Sequence, residues 1–363
     1  MENKKNILII SMTAGFGHVR AGEALLDYAK EYLSSVHAEH VDIITINPKL
    51  KKYAKIYDVI IKKLPFLWAA IYKYSAVSAI IKKGIFWENA SDKTLKEYIT
   101  KKNPDAIILT NVVALPMLAS SSGKIFPDIK LAIVVTDYHA HPSYFLETID
   151  QYFVPHIKVG GDLEKLGVSK EKITVTGIPI NPRFYVKEQV GELKAKFGIK
   201  NNLPVVVFIA SFKISKQDLA AIIKHLLEFD PPINLIFIAN GNEEVHSFIQ
   251  TKFAGHERLL MVNWTNVIEE YLKLSDVVIS KAGGLTVSEC IALQKPLIMV
   301  NPIPGQEEYN AEFVQKNNLG VKVNHISEII EVLPNVLALS KNKSLPLFEE
   351  QNPCEKIFQQ MLK

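Results

Sequence analysis

Short apolar runs recur along this chain at intervals that helices would fill, and that alternation limits the fold more than any other feature. In the first half the runs fall at residues 7–10, 41–46, 106–110, 131–136, 152–154 and 173–176, each bounded by polar, Gly or Pro residues. Brief β-branched and aliphatic runs suit strands covered on both faces. Parallel neighbours need a crossover connection, so strands separated by helix-length segments imply a parallel α/β sheet. Around 177–184 (GIPINPRF) the chain turns Pro-rich, and a charged helix is expected over 188–196. The pattern then restarts, with runs at 205–210, 235–239, 259–262, 277–280 and 297–300. The expected fold is α/β: two Rossmann-like halves joined near 178–200, with ligands bound beyond the carboxyl ends of the strands, in the cleft between the halves. The tail, 353–363, reads as a short amphipathic helix.

A chain of 363 residues suits two domains. With 48% hydrophobic and 22% charged residues it can bury a core, which excludes wholesale disorder. Two cysteines, Cys290 and Cys354, make neither a disulfide framework nor a metal-ligand spacing, and they fit a reducing, cytosolic setting. The net charge of +4 is too small to argue for nucleic acid, but it is unevenly spread. Residues 49–83 hold nine lysines against one acid, Asp58, so the remainder is mildly acidic. Tyr53, Tyr57, Phe66, Trp68, Tyr72, Tyr74, Phe86 and Trp87 lie among or just beyond those lysines. Lysines favour anionic lipid, and Trp and Tyr favour the bilayer interface, so 49–87 reads as a membrane-contacting surface. The plainer alternative is a pair of surface helices with solvated lysines. No export signal is expected, because the run at 7–10 is only a strand's length. The longest apolar stretch, 66–81, is interrupted by Lys73 and falls short of the roughly 20 residues a membrane span needs.

Four segments follow strand signals and could carry chemistry. The first, Thr13-Ala14-Gly15-Phe16-Gly17-His18, is a glycine-rich turn leading into a helix expected over 21–33. Histidine titrates near neutrality, so His18 at the tip of such a turn is a candidate base, against the alternative of an ordinary βα turn. The second, 280–289 (SKAGGLTVSE), again runs strand, Gly-Gly turn, helix start, which suits phosphate, with Lys281 as a charged partner. Within it Thr286 and Glu289 have capping-box spacing, so Glu289 either satisfies backbone N–H groups or accepts ribose hydroxyls. The third, 302–311 (PIPGQEEYNA), places Gln306, Glu307 and Asn310 at a helix start. That amide and carboxylate mixture suits a hydroxyl-rich ligand, and it also suits a plain polar helix N-terminus. The fourth, 136–144 (TDYHAHPSY), offers Asp137, His139 and His141 as a polar cleft wall; a His-x-His pair alone is a weak metal signal, and no metal is expected.

In order and spacing these segments, with Val175 to Pro182 (VTGIPINP), resemble the family 28 glycosyltransferases of GT-B fold, and within them the enzymes that glycosylate diacylglycerol. The resemblance runs from residue 5 to about residue 325. It implies an inverting transfer of glucose or galactose from a UDP-sugar to diacylglycerol, giving a β-glycoside, without a catalytic metal or other cofactor. It implies a cytoplasmic enzyme docked peripherally on the inner face of the cell membrane. By position, His18 matches the catalytic base. Gly17, Lys281, Gly283, Gly284, Leu285 and Thr286 fall on the donor side, Glu289 matches the ribose-binding acid, and Gln306, Glu307 and Asn310 the donor-sugar contacts. Val262 matches a uracil backbone contact, and Asp137, His139 and His141 the acceptor-side wall. The implied domains are 1–183 for acceptor and membrane, a linker at 184–200, 201–350 for the nucleotide sugar, and a terminal helix, 351–363, packing back on the first domain. Two departures stand out. The loop at 210–216 (ASFKISK) lacks the glycines of relatives, leaving Ser211 and Lys213 as substitutes, and Tyr144 stands where many relatives have an indole. A peptidoglycan-type N-acetylglucosaminyltransferase acting on a polyprenyl-linked acceptor, and a non-catalytic membrane-bound sensor of nucleotide sugar, are the alternatives. The sequence leaves glucose and galactose open.

Overall fold

The computed structural model describes residues 4–13, 16–64, 93–120, 123–341 and 351–363. Ala14 and Gly15 of the first turn lie outside the described residues. So does most of the basic, aromatic stretch, including Phe66, Trp68, Tyr72, Tyr74, Phe86 and Trp87. The chain divides into two compact units. One comprises Met1–Pro182, Pro304–Tyr309 and Glu349–Lys363, and the other Arg183–Ile303 and Asn310–Phe348.

The first unit contains β1 (Lys5–Ser11), β2 (Val36–Asp42), β3 (Ala106–Leu109), a two-stranded ribbon of β4 (Ala119–Ser120) and β5 (Gly123–Lys124), then β6 (Lys130–Val134), β7 (Gln151–Val154) and β8 (Ile173–Val175). Six of these form one parallel sheet in the order β2-β1-β3-β6-β7-β8. The two-residue period of a strand explains why both faces are apolar. On β1, Ile7 and Ile9 pack against Leu25 and Tyr28 of the helix Phe16–Tyr32 and Phe358 of the helix Pro353–Met361. Leu8 and Ile10 face the other way, into a cluster with Ile99, Ile107 and Leu131. The Tyr28 and Phe358 rings stack at 6.1 Å between centroids.

The second unit contains β9 (Val205–Ile209), β10 (Asn234–Ile238), β11 (Leu259–Val262), β12 (Val277–Ser280), β13 (Leu297–Val300) and β14 (Gly320–Val323), parallel in the order β11-β10-β9-β12-β13-β14. Val206 and Phe208 pack with Leu219, Ile223 and Phe237 on one face. β9 and β12 are neighbours although two strands separate them in sequence. The chain therefore reverses its winding between them, and ligands of open α/β sheets bind outside the carboxyl ends at such a point. In the first sheet the reversal lies between β1 and β3.

Three local expectations are corrected. Residues 41–46 are not one strand: β2 ends at Asp42, whose Oδ1 accepts a hydrogen bond from Ile44 N and caps a helical turn, Ile43–Ile46. The strand begins earlier, at Val36, because an edge strand tolerates the polar alternation of VHAEHVD. The capping box at Thr286 and Glu289 does not form, since the helix Gly284–Ala292 begins before Thr286 and its N-cap is Gly283. Finally, β14 was hidden by its short sequence, GVKV. Its Gly320 lies so close to β13 that a Cβ would sit 2.0 Å from the Leu297 carbonyl oxygen. Gly320→Ala is expected to cost about 3 kcal/mol through forced backbone movement. That lowers the melting temperature by roughly 6–12 °C, readable by circular dichroism. An unchanged melting temperature would contradict this packing.

Candidate functional site

In the first unit the site is built on His18, at the start of the helix that follows β1. Its Nδ1 lies 2.8 Å from the Thr110 carbonyl oxygen, just beyond β3, and 2.9 Å from Thr136 Oγ1, just beyond β6. A carbonyl oxygen only accepts, so Nδ1 carries the proton and the lone pair is on Nε2. Thr110 Oγ1 donates in return to the His18 carbonyl at 2.8 Å. Burial pushes the imidazole pKa down to about 4, a shift that the hydrogen bond to Thr110 partly opposes. The ring is therefore neutral at any physiological pH, with its accepting nitrogen fixed by the tautomer. Sequence reading did not single out Thr110 and Thr136 as its holders. The available signal was a threonine within two residues of the end of each of two buried strands.

On the same sheet edge, Thr13 donates to the Asp42 carboxylate through both N and Oγ1. Gly17 lies beside His18 in the first turn of the helix. The segment after β6 holds Asp137, His139 and His141. Asp137 is buried and its Oδ2 accepts a 2.7 Å hydrogen bond from Gln306 Nε2. His139 Nδ1 is 3.5 Å from Asp162 Oδ2, and its ring stacks on Tyr309 at 4.0 Å. His141 Nδ1 accepts from Ser143 N at 3.2 Å and caps the turn Pro142–Tyr144, so this ring nitrogen has a structural role. Tyr144 is buried in that turn. Gly305, at φ +87°, takes the left-handed conformation that glycine tolerates, and Glu308 Oε2 accepts its N–H. Gln306 and buried Glu307 then open the helix Gln306–Lys316.

In the second unit the site lies at the winding reversal. Ser211, two residues beyond β9, and Ser280, the last residue of β12, join through their hydroxyls at 3.1 Å. The loop without glycines is thus tied to the neighbouring strand, while Lys213 is exposed. After Lys281 and Ala282, Gly283 turns the chain into the helix Gly284–Ala292 with no side-chain cap. The first helical bond runs from Val287 N to the Gly283 carbonyl, so the amides of Gly284, Leu285 and Thr286 precede the intrahelical ladder. Such a terminus attracts phosphate through its N–H groups and dipole. Asn310 is fully buried and donates at 3.0 Å to the Ala282 carbonyl, bracing this turn. Glu289 is buried on the same helix. The carbonyl of Val262, at the end of β11, accepts from Ala239 N at 2.8 Å. Among the described residues no group of three or more His, Cys, Asp or Glu side chains could hold a metal ion.

Comparison with known proteins agrees with this architecture. Acinetobacter baumannii MurG superposes with TM-score 0.62 at 13% identity, covering 99% of both chains. CalG4, the calicheamicin glycosyltransferase, superposes with TM-score 0.63 at 13% identity, covering 99% of this chain and 98% of its own. Two parallel six-stranded sheets with helices, matched at that level, define the GT-B fold. Residues 18–180 match the monogalactosyldiacylglycerol (MGDG) synthase model, and 217–362 match the glycosyltransferase family 28 C-terminal domain. The chain belongs to glycosyltransferase family 28 and is an enzyme of that family. Its relatives include a Bacillus pumilus protein named processive diacylglycerol beta-glucosyltransferase, 28% identical over 93% of this chain and 88% of that protein. The Bacillus subtilis protein of the same name is 26% identical over the same shares.

Proposed function

We propose that this glycosyltransferase moves a hexose from a UDP-sugar to diacylglycerol with inversion, forming a β-glycosyl glycolipid on the cytoplasmic face of a membrane. The arrangement of His18 carries the reading. Its Nδ1 proton is engaged by Thr110, burial keeps the ring neutral, and among the described residues Nε2 has no hydrogen-bond partner. Nε2 takes the proton of the glycerol hydroxyl as that oxygen attacks the anomeric carbon from the face opposite the diphosphate. The bond from the anomeric carbon to the diphosphate oxygen breaks, and UDP leaves with the electron pair. The imidazolium is stabilised by the Thr110 carbonyl. The amides of Gly284, Leu285 and Thr286 stabilise the charge that grows on the departing diphosphate, with Lys281 beside them. Glu289 accepts the ribose hydroxyls, Val262 meets the uracil through its backbone, and Gln306 and Glu307 hold the sugar.

The lipid acceptor accords with the names of the relatives and with the helix Leu50–Lys63. Ile56, Val59 and Leu64 are exposed there among exposed Lys51, Lys52, Lys55 and Lys63. Lys52, Ile56, Val59 and Lys63 follow helical spacing, so one face offers both apolar and cationic contact. Each lysine near anionic lipid contributes about 1 kcal/mol. Among the described residues no helix is long and apolar enough to cross a membrane. The test follows UDP release from UDP-glucose, UDP-galactose and UDP-N-acetylglucosamine over anionic vesicles with and without diacylglycerol. Release that requires diacylglycerol and a hexose donor is expected. Release indifferent to diacylglycerol would contradict the acceptor.

A further inference from the structure

Gln306 and Asp137 are 169 residues apart in the chain, yet they meet side chain to side chain at 2.7 Å within the first unit. The hydrogen bond runs from Gln306 Nε2 to Asp137 Oδ2, so the amide presents its nitrogen to the carboxyl group. That contact fixes the flip of the amide. The Gln306 carbonyl oxygen, Oε1, then points away from the carboxylate and has no hydrogen-bond partner among the described residues. Asp137 is itself held firmly: it is buried, and it directly follows Thr136, whose hydroxyl meets His18. Tyr309, one turn along the same helix, stacks on His139, two residues after Asp137, and His139 is paired with Asp162. The start of this helix is thus attached at two points to the segment that holds the histidine.

We infer that Asp137 is a positioning residue for the donor: it orients Gln306 so that the amide turns its carbonyl oxygen, Oε1, to accept from a sugar hydroxyl. This rests on the donor-binding role proposed above for Gln306. Neighbouring residues thereby divide the work, Thr136 setting the histidine and Asp137 setting the sugar contact. The sugar is fixed in register with the base by one peptide unit. At Oε1 a sugar hydroxyl donates its proton, and a group that can only accept finds no partner at that oxygen.

A reversed pair tests this. In Gln306→Glu two carboxylates face one another, and the side chain must leave its position. In the double variant Asp137→Asn with Gln306→Glu, the Asn amide donates to the Glu carboxylate. The second carboxylate oxygen remains for the sugar hydroxyl. Affinities for UDP, UDP-glucose and UDP-galactose would be measured by calorimetry on the full chain. Gln306→Glu is expected to weaken binding of the preferred UDP-sugar at least tenfold while changing UDP binding less than twofold. The double variant is expected to recover at least fivefold of that loss. A double variant no better than Gln306→Glu overturns the inference, as does a loss of UDP affinity in step with UDP-sugar affinity. Failure of the wild-type chain to bind any UDP-sugar overturns the functional reading and this inference with it. Wild-type binding without recovery overturns the inference alone.

Discussion

His18→Ala is expected to lower kcat by about 10²–10⁴-fold while leaving the affinity for UDP essentially unchanged, the size and pattern expected when a general base is removed. His18 lies in the first unit, whereas the uncapped helix start proposed for the diphosphate belongs to the second, so the mutation removes proton transfer and not the anion site. Steady-state kinetics paired with UDP titration reads both halves of the prediction. The pH profile supplies a further check. Burial lowers the imidazole pKa to about 4, and the base works only when neutral. Activity is therefore expected to hold as pH falls from 8 towards 5 and to be lost as it passes through about 4. A limb near 6.5, the value of a solvated histidine, would contradict the burial of this ring. The same shift links to stability. Between those two values the unfolded chain binds a proton that the folded ring refuses, so stability falls as pH drops through that window.

Glu289→Gln is expected to weaken UDP binding by about 10–100-fold with a much smaller effect on kcat at saturating donor. The buried carboxylate can accept from two ribose hydroxyls, and charge-assisted hydrogen bonds contribute about 1.5–3 kcal/mol each. The isosteric amide keeps the volume and one acceptor oxygen but loses the charge. Calorimetry with UDP and with uridine, which lacks the diphosphate, locates the loss at the nucleoside. Equal affinity in the variant would return Glu289 to a purely structural part. The geometry already removes one such part: the helix starts at Gly284, too early for Thr286 and Glu289 to form a capping box.

Much of this architecture was legible because buried parallel strands write themselves as continuous apolar runs. VVVFI became β9 and LIMV became β13, each buried along its whole length. What escaped was the edge. β2 carries His37, Glu39 and His40, because its outer side needs no apolar cover, and its polar letters read as a connection. The glycine turns could be placed from sequence because they follow strands. Their partners could not be, because these come from distant strands. Thr110 and Thr136 reach His18 from the ends of β3 and β6, and no local spacing announces that meeting. The hydrogen bond between Asp137 and Gln306 is equally invisible in the sequence, where each residue belongs to its own loop. The histidine pair at 139 and 141 divided between a ring stacked on Tyr309 beside Asp162 and a turn cap, two roles that the letters alone do not separate.

The central claim is that His18 drives inverting hexosyl transfer onto diacylglycerol. The most direct measurement isolates the lipid formed by the full chain on anionic vesicles that contain diacylglycerol and a polyprenyl-linked acceptor together, with each UDP-hexose in turn. Mass spectrometry and the anomeric proton coupling then identify the product. The account predicts a β-hexosyl diacylglycerol that His18→Ala fails to make. An α-linked product, glycosylation of the polyprenyl lipid alone, or UDP release with no glycolipid would contradict it.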